Sequence, residues 1–276
     1  MWMEELQQVF NYLDPADHCM MEKKQLNWKF KSPETPGFHV VVSPENSDCK
    51  TTWGFRLNLQ MGKEYHLTDE TLELNGALIS GHARVYFNGH EYHLTERDSF
   101  YLPARQKITI VAQSDLVIFF GGAPCESKGQ FFVRKYDLTL PLGNIHQIHG
   151  TQPYLREVFM TISPEDPGSR LICGITEGEP GQWTSWPPHQ HSKDLEEIYC
   201  YFDIPKPQFA LHLSSRIPGD VEEAYPVSTG DFVIVPEGYH PTVGMPGVKS
   251  CYFWIMAAFS EKSRRYDLAV NDPNFE

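Results

Sequence analysis

Several features that would place the chain in a membrane or an oxidising compartment are missing from the sequence. No apolar run approaches the roughly 20 residues that cross a bilayer, and the opening stretch MWMEELQQVF is acidic, without a basic segment followed by an apolar one. Its 6 cysteines are scattered over 276 residues and form no CxxC pair. We therefore expect reduced thiols, a cytoplasmic location and no membrane partner.

Positive charge is also scarce. The chain has 23 Lys and Arg against 36 Asp and Glu, a formal net charge of -13 and a pI near 5.4. Because binding to phosphate backbones needs a positive field, no nucleic-acid partner is expected. An anionic small molecule remains compatible with this charge only if an Arg, a Lys or a metal ion lies at its binding site.

Helical periodicity is rare, and short apolar segments alternate with Gly, Asn, Asp and Pro from residue 53 onward. Asn88-Gly89 between two alternating runs is typical of a β-hairpin. Two strand-rich blocks, 53–123 and 156–258, share a similar segment, RDSFYLPARQKITIV in the first and TGDFVIVPEGYHPTV in the second. This duplication predicts an all-β protein of two stacked antiparallel β-sandwich barrels, or jelly rolls, with a few short helices.

The domain boundaries follow from the same pattern. Residues 1–123 are predicted to hold the N-terminal barrel, in which 1–50 are an irregular lead-in apart from a short helix over Glu4–Leu13. Residues 124–155 would be a linker, and 156–276 the C-terminal barrel with a terminal tail from 260. Because open strand edges favour association, we also expect a homo-oligomer.

One group of residues carries metal-ligand chemistry. His189 and His191 are two positions apart, so on a strand both rings point to one face. Glu196 and Glu197 follow at the start of EEIYCYF, and His240 comes directly after the strand in GDFVIVPEGYH. Imidazole suits several divalent transition metals and a carboxylate adds an oxygen ligand, so these separate segments predict a site for one divalent metal ion.

These segments resemble a known family. The HxH, the following Glu and the later G-x5-P-x-G-x-H match the two cupin motifs, while SWPPHQH, EEIYCYF and GDFVIVPEGYHP resemble the 5-deoxyglucuronate isomerase family of inositol catabolism. They are also similar to the related 5-keto-4-deoxyuronate isomerase family of pectin degradation. The resemblance spans roughly residues 53–258.

The resemblance implies a bicupin with one metal ion, usually zinc or manganese, in the second barrel. It also implies aldose–ketose interconversion of an acidic sugar: a deoxyuronate such as 5-deoxyglucuronate, a related uronate or a sulfonated hexose. The implied ligands are His189, His191, His240 and one glutamate. Alignment of the strand favours Glu197, which shares a face with Tyr199, whereas counting from the HxH favours Glu196. We choose Glu197.

The first barrel departs from this pattern, because it has no HxH followed by Glu and no His after YLPARQ. Three histidines, His82, His90 and His93, are therefore expected at the surface, and no metal is expected there.

The remaining roles follow from the proposed chemistry. Proton transfer between two carbons needs a base, for which we consider Glu237, His146 (or its neighbour His149) and Tyr239. Substrate would be bound by Tyr201 and, through its acid group, by a cation, for which the candidates are Lys193, Arg156 and Arg216. Two other functions fit the same ligand set: an iron-dependent cupin dioxygenase and a non-catalytic sugar-binding cupin.

Overall fold

The computed structural model describes residues 25–126 and 129–275, so the helix expected over residues 4–13 lies outside the described part. Within that part the helices are two 3-10 turns, Glu261–Ser263 and Pro273–Phe275, and none is long and apolar enough to span a membrane. All other regular structure is β-strand, which confirms the predicted fold class.

The first barrel consists of a six-stranded and a four-stranded antiparallel sheet. Its strands and two flanking ones are β1 (Lys29–Lys31), β2 (Gly37–Val42), β3 (Trp53–Leu59), β4 (Glu64–Thr68), β5 (Leu72–Ser80), β6 (Ala83–Phe87), β7 (His90–Leu94), β8 (Ser99–Leu102), β9 (Lys107–Ala112), β10 (Leu116–Pro124) and β11 (Phe132–Arg134). The sheet orders are β11-β8-β5-β10-β3-β2 and β4-β9-β6-β7. Alternate residues of β9 are buried and line the barrel interior, as period-two patterning requires.

The second barrel has a seven-stranded and a four-stranded sheet and one short pair. Its strands are β12 (His146–His149), β13 (Arg156–Ile162), β14 (Leu171–Gly178), β15 (Trp183–Thr184), β16 (His189–Gln190), β17 (Leu195–Tyr201), β18 (Ala210–Ser214), β19 (Glu223–Val227), β20 (Asp231–Val235), β21 (Thr242–Gly244), β22 (Cys251–Ala258) and β23 (Val270–Asn271). The orders are β1-β20-β17-β22-β14-β13-β12, β15-β21-β18-β19 and β16-β23.

Three apolar cores hold the molecule together: one inside each barrel and one between them. The central core lies where the six- and seven-stranded sheets pack face to face. There the Phe119 and Phe232 rings meet edge to face with centroids 5.0 Å apart. The sheets approach closely, because a Cβ added at Gly121 would lie 2.5 Å from Cγ2 of Ile255.

Each barrel contains a strand from outside the segment predicted to form it. Strand β1 pairs with β20 of the second barrel, and β11, from the predicted linker, pairs with β8 of the first. The lead-in predicted to be irregular therefore contains β1 and β2, and the linker contains β11 and β12. Sequence patterning could not indicate β1 or β11, because three residues carry no periodic signal and their partners are distant in the chain.

Two buried glutamates reinforce this exchange. The repeats align as Leu72-Glu73-Leu74 and Leu195-Glu196-Glu197, at the starts of β5 and β17. Glu73 accepts hydrogen bonds from three backbone N–H groups of the second half, at 2.8, 2.6 and 2.7 Å (Ser169, Arg170 and Leu171). Glu196 accepts them from the first half, at 2.9 and 2.5 Å (Lys50 and Thr51). Each carboxylate thus ties its barrel to a loop of the other.

Candidate metal centre

Strand β17 directs the side chains of the adjacent residues Glu196 and Glu197 to opposite faces of its sheet. Successive side chains of a strand point to opposite faces, so Glu197 and Tyr199 face the interior of the second barrel while Glu196 and Ile198 face the first. Glu196 is fully engaged with the loop before β3. Of the two candidates, only Glu197 reaches the predicted site.

The three histidines reach the same place from two loops. His189 begins β16, His191 follows it, and His240 comes directly after the turn at Gly238. That turn needs glycine, since its φ is +90° and a Cβ there would collide with the carbonyl oxygen of Ser215. Together the two loops bring residues almost 50 positions apart to one barrel wall.

Three of the four predicted side chains converge closely. The Oε2 atom of Glu197 lies 3.1 Å from Nε2 of His191 and 3.2 Å from Nε2 of His240. The ligand atoms of these three residues all lie within 4.8 Å of one another. The third ring, that of His189, lies beside this group, with its centroid 4.7 Å from that of His240 and 6.3 Å from that of His191.

Backbone contacts fix the orientation of all three imidazoles. In each ring Nδ1 donates to a carbonyl oxygen: Pro187 at 2.9 Å for His189, Leu195 at 3.1 Å for His191, and Gly238 at 2.9 Å for His240. When Nδ1 carries the proton, Nε2 is left with a lone pair directed to the centre, which is the form that binds metal ions.

This arrangement fits a divalent cation. With Nδ1 protonated, the Nε2 atoms of His191 and His240 would each direct a lone pair at the lone pairs of the Glu197 Oε2 atom. Nε2 of His240 is also buried and makes no hydrogen bond among the described residues. A cation between these atoms would satisfy the nitrogen lone pairs and the carboxylate together.

The protonation states agree with that role. Burial and then the neighbouring His240 lower the pKa of His189 to about 3, so its ring is neutral at neutral pH. Burial alone would raise the pKa of Glu197, but hydrogen bonds and positive charge at the facing His191 and His240 nitrogens outweigh it and lower the value to about 2, and a bound cation would act in the same direction. A neutral imidazole and an ionised carboxylate are the forms that a metal ion needs.

The centre forms one wall of a cavity of about 230 Å³. Aromatic side chains form much of the rest, namely Trp186, Tyr199, Tyr252, Trp254 and Tyr266. Sequence patterning missed them, because aromatic residues in strands are as typical of a core. The alternation of β22, in which Tyr252 and Trp254 share a face, is the signal that could have found two of them.

The C-terminal segment, residues 264–275, crosses this cavity. Strand β23 pairs with β16, so Asn271 lies opposite the candidate ligand His189. Tyr266 stacks on Trp254 with centroids 5.7 Å apart, and the edge of Phe275 meets Trp186 at 5.4 Å. What the sequence presents as a tail is therefore part of the cavity wall.

Three of the predicted base candidates, Glu237, Tyr239 and His146, lie outside the cavity lining. Glu237 is exposed on the turn. Tyr239 is half-buried and pairs through its backbone with Ser215, outside the lining. His146 is buried on the opposite face of β12, where its Nε2 lies 2.7 Å from Oε1 of Glu157.

Of the predicted substrate-binding residues, only Arg156 lines the cavity. Lys193 is exposed outside it, and Arg216 forms an ion pair with Glu222 at 2.7 Å. Tyr201 is buried deeper in the barrel, where its hydroxyl lies 2.7 Å from Nδ1 of His212. His149, the other histidine of GNIHQIHG, does line the cavity.

In the first barrel, the position equivalent to Glu197 is Leu74, which is buried in the apolar interior. His82, His90 and His93 are exposed, as expected. Among residues 25–126 and 129–275, the cluster His191, Glu197 and His240 is the one group whose ligand atoms lie close enough together to hold a metal ion.

Comparison with known proteins identifies the fold and then the family. A cupin-type β-barrel with a His/Glu cluster is the class that the structure defines. The model of the KduI/IolB family matches residues 28–276, and the chain belongs to that family.

Curated relatives carry one name, 5-deoxy-glucuronate isomerase. The protein of Bacillus licheniformis is 29% identical over 254 residues, covering 85% of this chain and 90% of the relative. That of Geobacillus thermodenitrificans is 26% identical over 247 residues (82% and 87%). That of Geobacillus kaustophilus is 29% identical over 167 residues, 58% of each chain. The family and these relatives assign the chain to the isomerase class of enzymes.

Solved structures agree on the fold. An IolB-like protein from Salmonella typhimurium has a TM-score of 0.78 at 21% identity, covering 90% of this chain and 98% of its own. Oxalate decarboxylase from Bacillus subtilis, a protein with Mn(II) centres, has a TM-score of 0.58 at 15% identity, covering 89% and 79%.

Proposed function

We propose that this chain is a metal-dependent isomerase that interconverts the aldose and ketose forms of an acidic sugar. The first candidate substrate is a deoxyuronate such as 5-deoxyglucuronate, the substrate named for the curated relatives. The observation that carries the proposal is the cluster of the His191, Glu197 and His240 ligand atoms within 4.8 Å of one another, with the His189 ring beside it, at an aromatic-lined cavity of about 230 Å³.

His189, His191, Glu197 and His240 would hold the metal ion, with zinc or manganese as the first candidates. Bound there, a divalent ion supplies Lewis-acid stabilisation of the negative charge that develops on two neighbouring oxygens when a proton leaves the adjacent carbon. One carboxylate among four ligands leaves the centre with net positive charge, which favours an anionic transition state.

The surrounding residues orient the sugar and limit access of water. The Tyr199 hydroxyl is held 2.8 Å from the Ser185 hydroxyl. Burial, then the charge of Glu197, raises the pKa of Tyr199 well above its usual value, so it stays protonated and can donate to a sugar oxygen. Trp186 and Tyr266 add aromatic surface to the cavity wall.

The test is a turnover assay with metal analysis on the same sample. Purified protein is incubated anaerobically with deoxyuronates, uronates and sulfonated hexoses, and aldose and ketose are followed by NMR. We expect conversion of at least one acidic sugar and loss of turnover on chelation, restored by zinc or manganese. His189→Ala should lose both metal and turnover, while exposed His93→Ala should keep both.

Two other outcomes would contradict the proposal. Oxygen uptake that depends on iron would favour a cupin dioxygenase. Sugar binding that survives metal removal, with no turnover for any member of the panel, would favour a non-catalytic binding protein.

A further inference from the structure

The cavity has two chemically different ends. The inner face of the seven-stranded sheet carries Glu197 on β17, whereas His149 and Arg156 lie on β12 and β13. Strands β14 and β22 separate these two from β17 in the sheet. The side chains between them are largely aromatic, and the same cavity contacts both ends.

Arg156 is a cation without an anionic partner. Its guanidinium makes one hydrogen bond, to the carbonyl oxygen of Tyr154 at 3.3 Å, and no carboxylate of the described chain lies within ion-pair distance. Two carboxylates of the neighbouring strand positions are engaged elsewhere: Glu157 contacts His146, and Glu177 binds Arg97. A half-buried, uncompensated guanidinium facing a cavity favours an anionic ligand there.

His149 lies directly opposite Arg156 in the β12–β13 register. Its Nε2 donates to the side-chain oxygen of Gln147 at 2.7 Å, which leaves Nδ1 as a hydrogen-bond acceptor. Burial, then the charge of Arg156, lowers the pKa of His149, so its ring is neutral at neutral pH. Arg156 therefore supplies the positive charge at this end, and His149 supplies an acceptor suited to a sugar hydroxyl.

We propose that Arg156, with His149 beside it, is the subsite for the acid group of the substrate. The proposal rests on the proposed function, because it takes the other end of the cavity as the metal centre that binds the carbonyl. It defines a substrate class: an open-chain sugar acid whose carbonyl and anionic group stand at opposite ends, as in a uronate. A 2-ketoaldonate, in which the carbonyl and the carboxylate are adjacent, would not reach the two ends together.

The test combines a change in the residue with a change in the ligand. Binding of glucuronate and of glucose, which differ in the acid group, is measured by calorimetry on metal-loaded protein. Arg156→Gln should weaken glucuronate binding by about 100-fold, as expected for a lost charged, bidentate hydrogen bond, and change glucose binding less than about twofold. Arg156→Lys should restore part of the loss.

A matched control is Arg265→Gln, which removes an exposed arginine beside Tyr266 that pairs with Asp267; it should leave both affinities unchanged. An equal loss of glucose and glucuronate binding in Arg156→Gln, or glucuronate binding that is absent in the wild type or unaffected by the substitution, would overturn the subsite. Metal content and the thermal midpoint of each variant exclude misfolding.

Because binding is measured without turnover, this result is separate from the proposed function. Charge-selective binding that depends on Arg156, in a protein that converts no sugar, would retain the subsite and reject the isomerase. Turnover of acidic sugars that is unchanged in Arg156→Gln would support the isomerase and reject the subsite.

Discussion

At the residue scale, the adjacent carboxylates Glu196 and Glu197 have different contacts because successive side chains of a strand point to opposite faces. Both are buried, yet Glu196 holds a loop of the other barrel and Glu197 contacts two imidazoles. The pair therefore offers a comparison in which position along the chain, residue type and burial are matched.

We expect Glu197→Gln to impair metal binding and Glu196→Gln to impair folding stability. Glu197→Gln should lower metal affinity at least about tenfold and abolish turnover, with little loss of folding stability in the metal-free protein. Glu196→Gln should keep the metal and cost about 2–3 kcal/mol, since the backbone N–H groups of the loop lose a charged acceptor. Metal analysis and urea unfolding measure the two quantities, and metal loss in both variants would contradict the division.

His146, outside the cavity, gives a pH prediction. Its hydrogen bond to the Leu140 carbonyl and, against the effect of burial, its contact with Glu157 raise its pKa. A raised folded pKa contributes stability that is fully present below the unfolded value of about 6.5 and is lost as pH rises through the folded value.

His146→Gln should therefore destabilise the protein more at about pH 5.5 than at about pH 9, by a difference on the order of 1 kcal/mol. Urea unfolding of both proteins at the two pH values measures it. Turnover should persist, because the ring faces away from the cavity, and a loss of turnover at constant stability would restore His146 as a candidate base.

At the element scale, the C-terminal segment depends on Asp272. Its backbone N–H donates to the Pro188 carbonyl oxygen at 2.8 Å, and its carboxylate accepts from the backbone N–H of Gly219 at 2.6 Å. These bonds fix β23 beside the strand that carries His189.

Asp272→Ala should loosen this segment and raise KM by about tenfold, with a small change in thermal midpoint, since misplacement of a cavity wall weakens substrate positioning. Amide hydrogen exchange over residues 264–275 should accelerate. Asp267→Ala, in the same segment but in an exposed ion pair with Arg265, is the control. Unchanged exchange in Asp272→Ala would show that the segment is held by other contacts.

The elements also show which parts of the structure were predictable. Strands with period-two alternation, such as β9, were predictable from the sequence, and so was the proximity of His191, Glu197 and His240, because the two loops carry rare residue types at defined spacing. That Glu237, Tyr239, His146 and two of the cations lie outside the cavity lining could not be predicted, because residue type alone does not tell on which face of a turn or strand a side chain lies. Only the β12–β13 register shows that His149, and not His146, faces the cavity.

At the scale of the whole molecule, close packing between the two barrels is the feature most open to test. Gly121→Ala places a methyl group against Ile255 at the central core and should cost about 1–3 kcal/mol. Gly143→Ala, where no atom lies within 4 Å of the added Cβ, should be close to neutral. Chemical denaturation measures both, and equal stability of the two variants would contradict the tight approach of the sheets.

The duplicated architecture also predicts the metal content. Because Leu74 stands in the first barrel where Glu197 stands in the second, we expect one metal ion per chain. Elemental analysis of the purified protein measures the ratio, and a value near two would show a second centre.

We expect neither barrel to fold alone when the chain is divided between β10 and β11, because β1 and β11 would each be separated from the partner strand. A fragment ending before β11 would leave β8 without its neighbour, and one that begins after β1 would expose the hydrogen-bonding edge of β20, a template for aggregation. Fragments produced together could still supply each other's missing strands, so co-expression should rescue solubility that separate expression lacks. The first barrel, which has Leu74 where the second has Glu197, would thus be needed for the second to fold even though it is not expected to bind a metal ion.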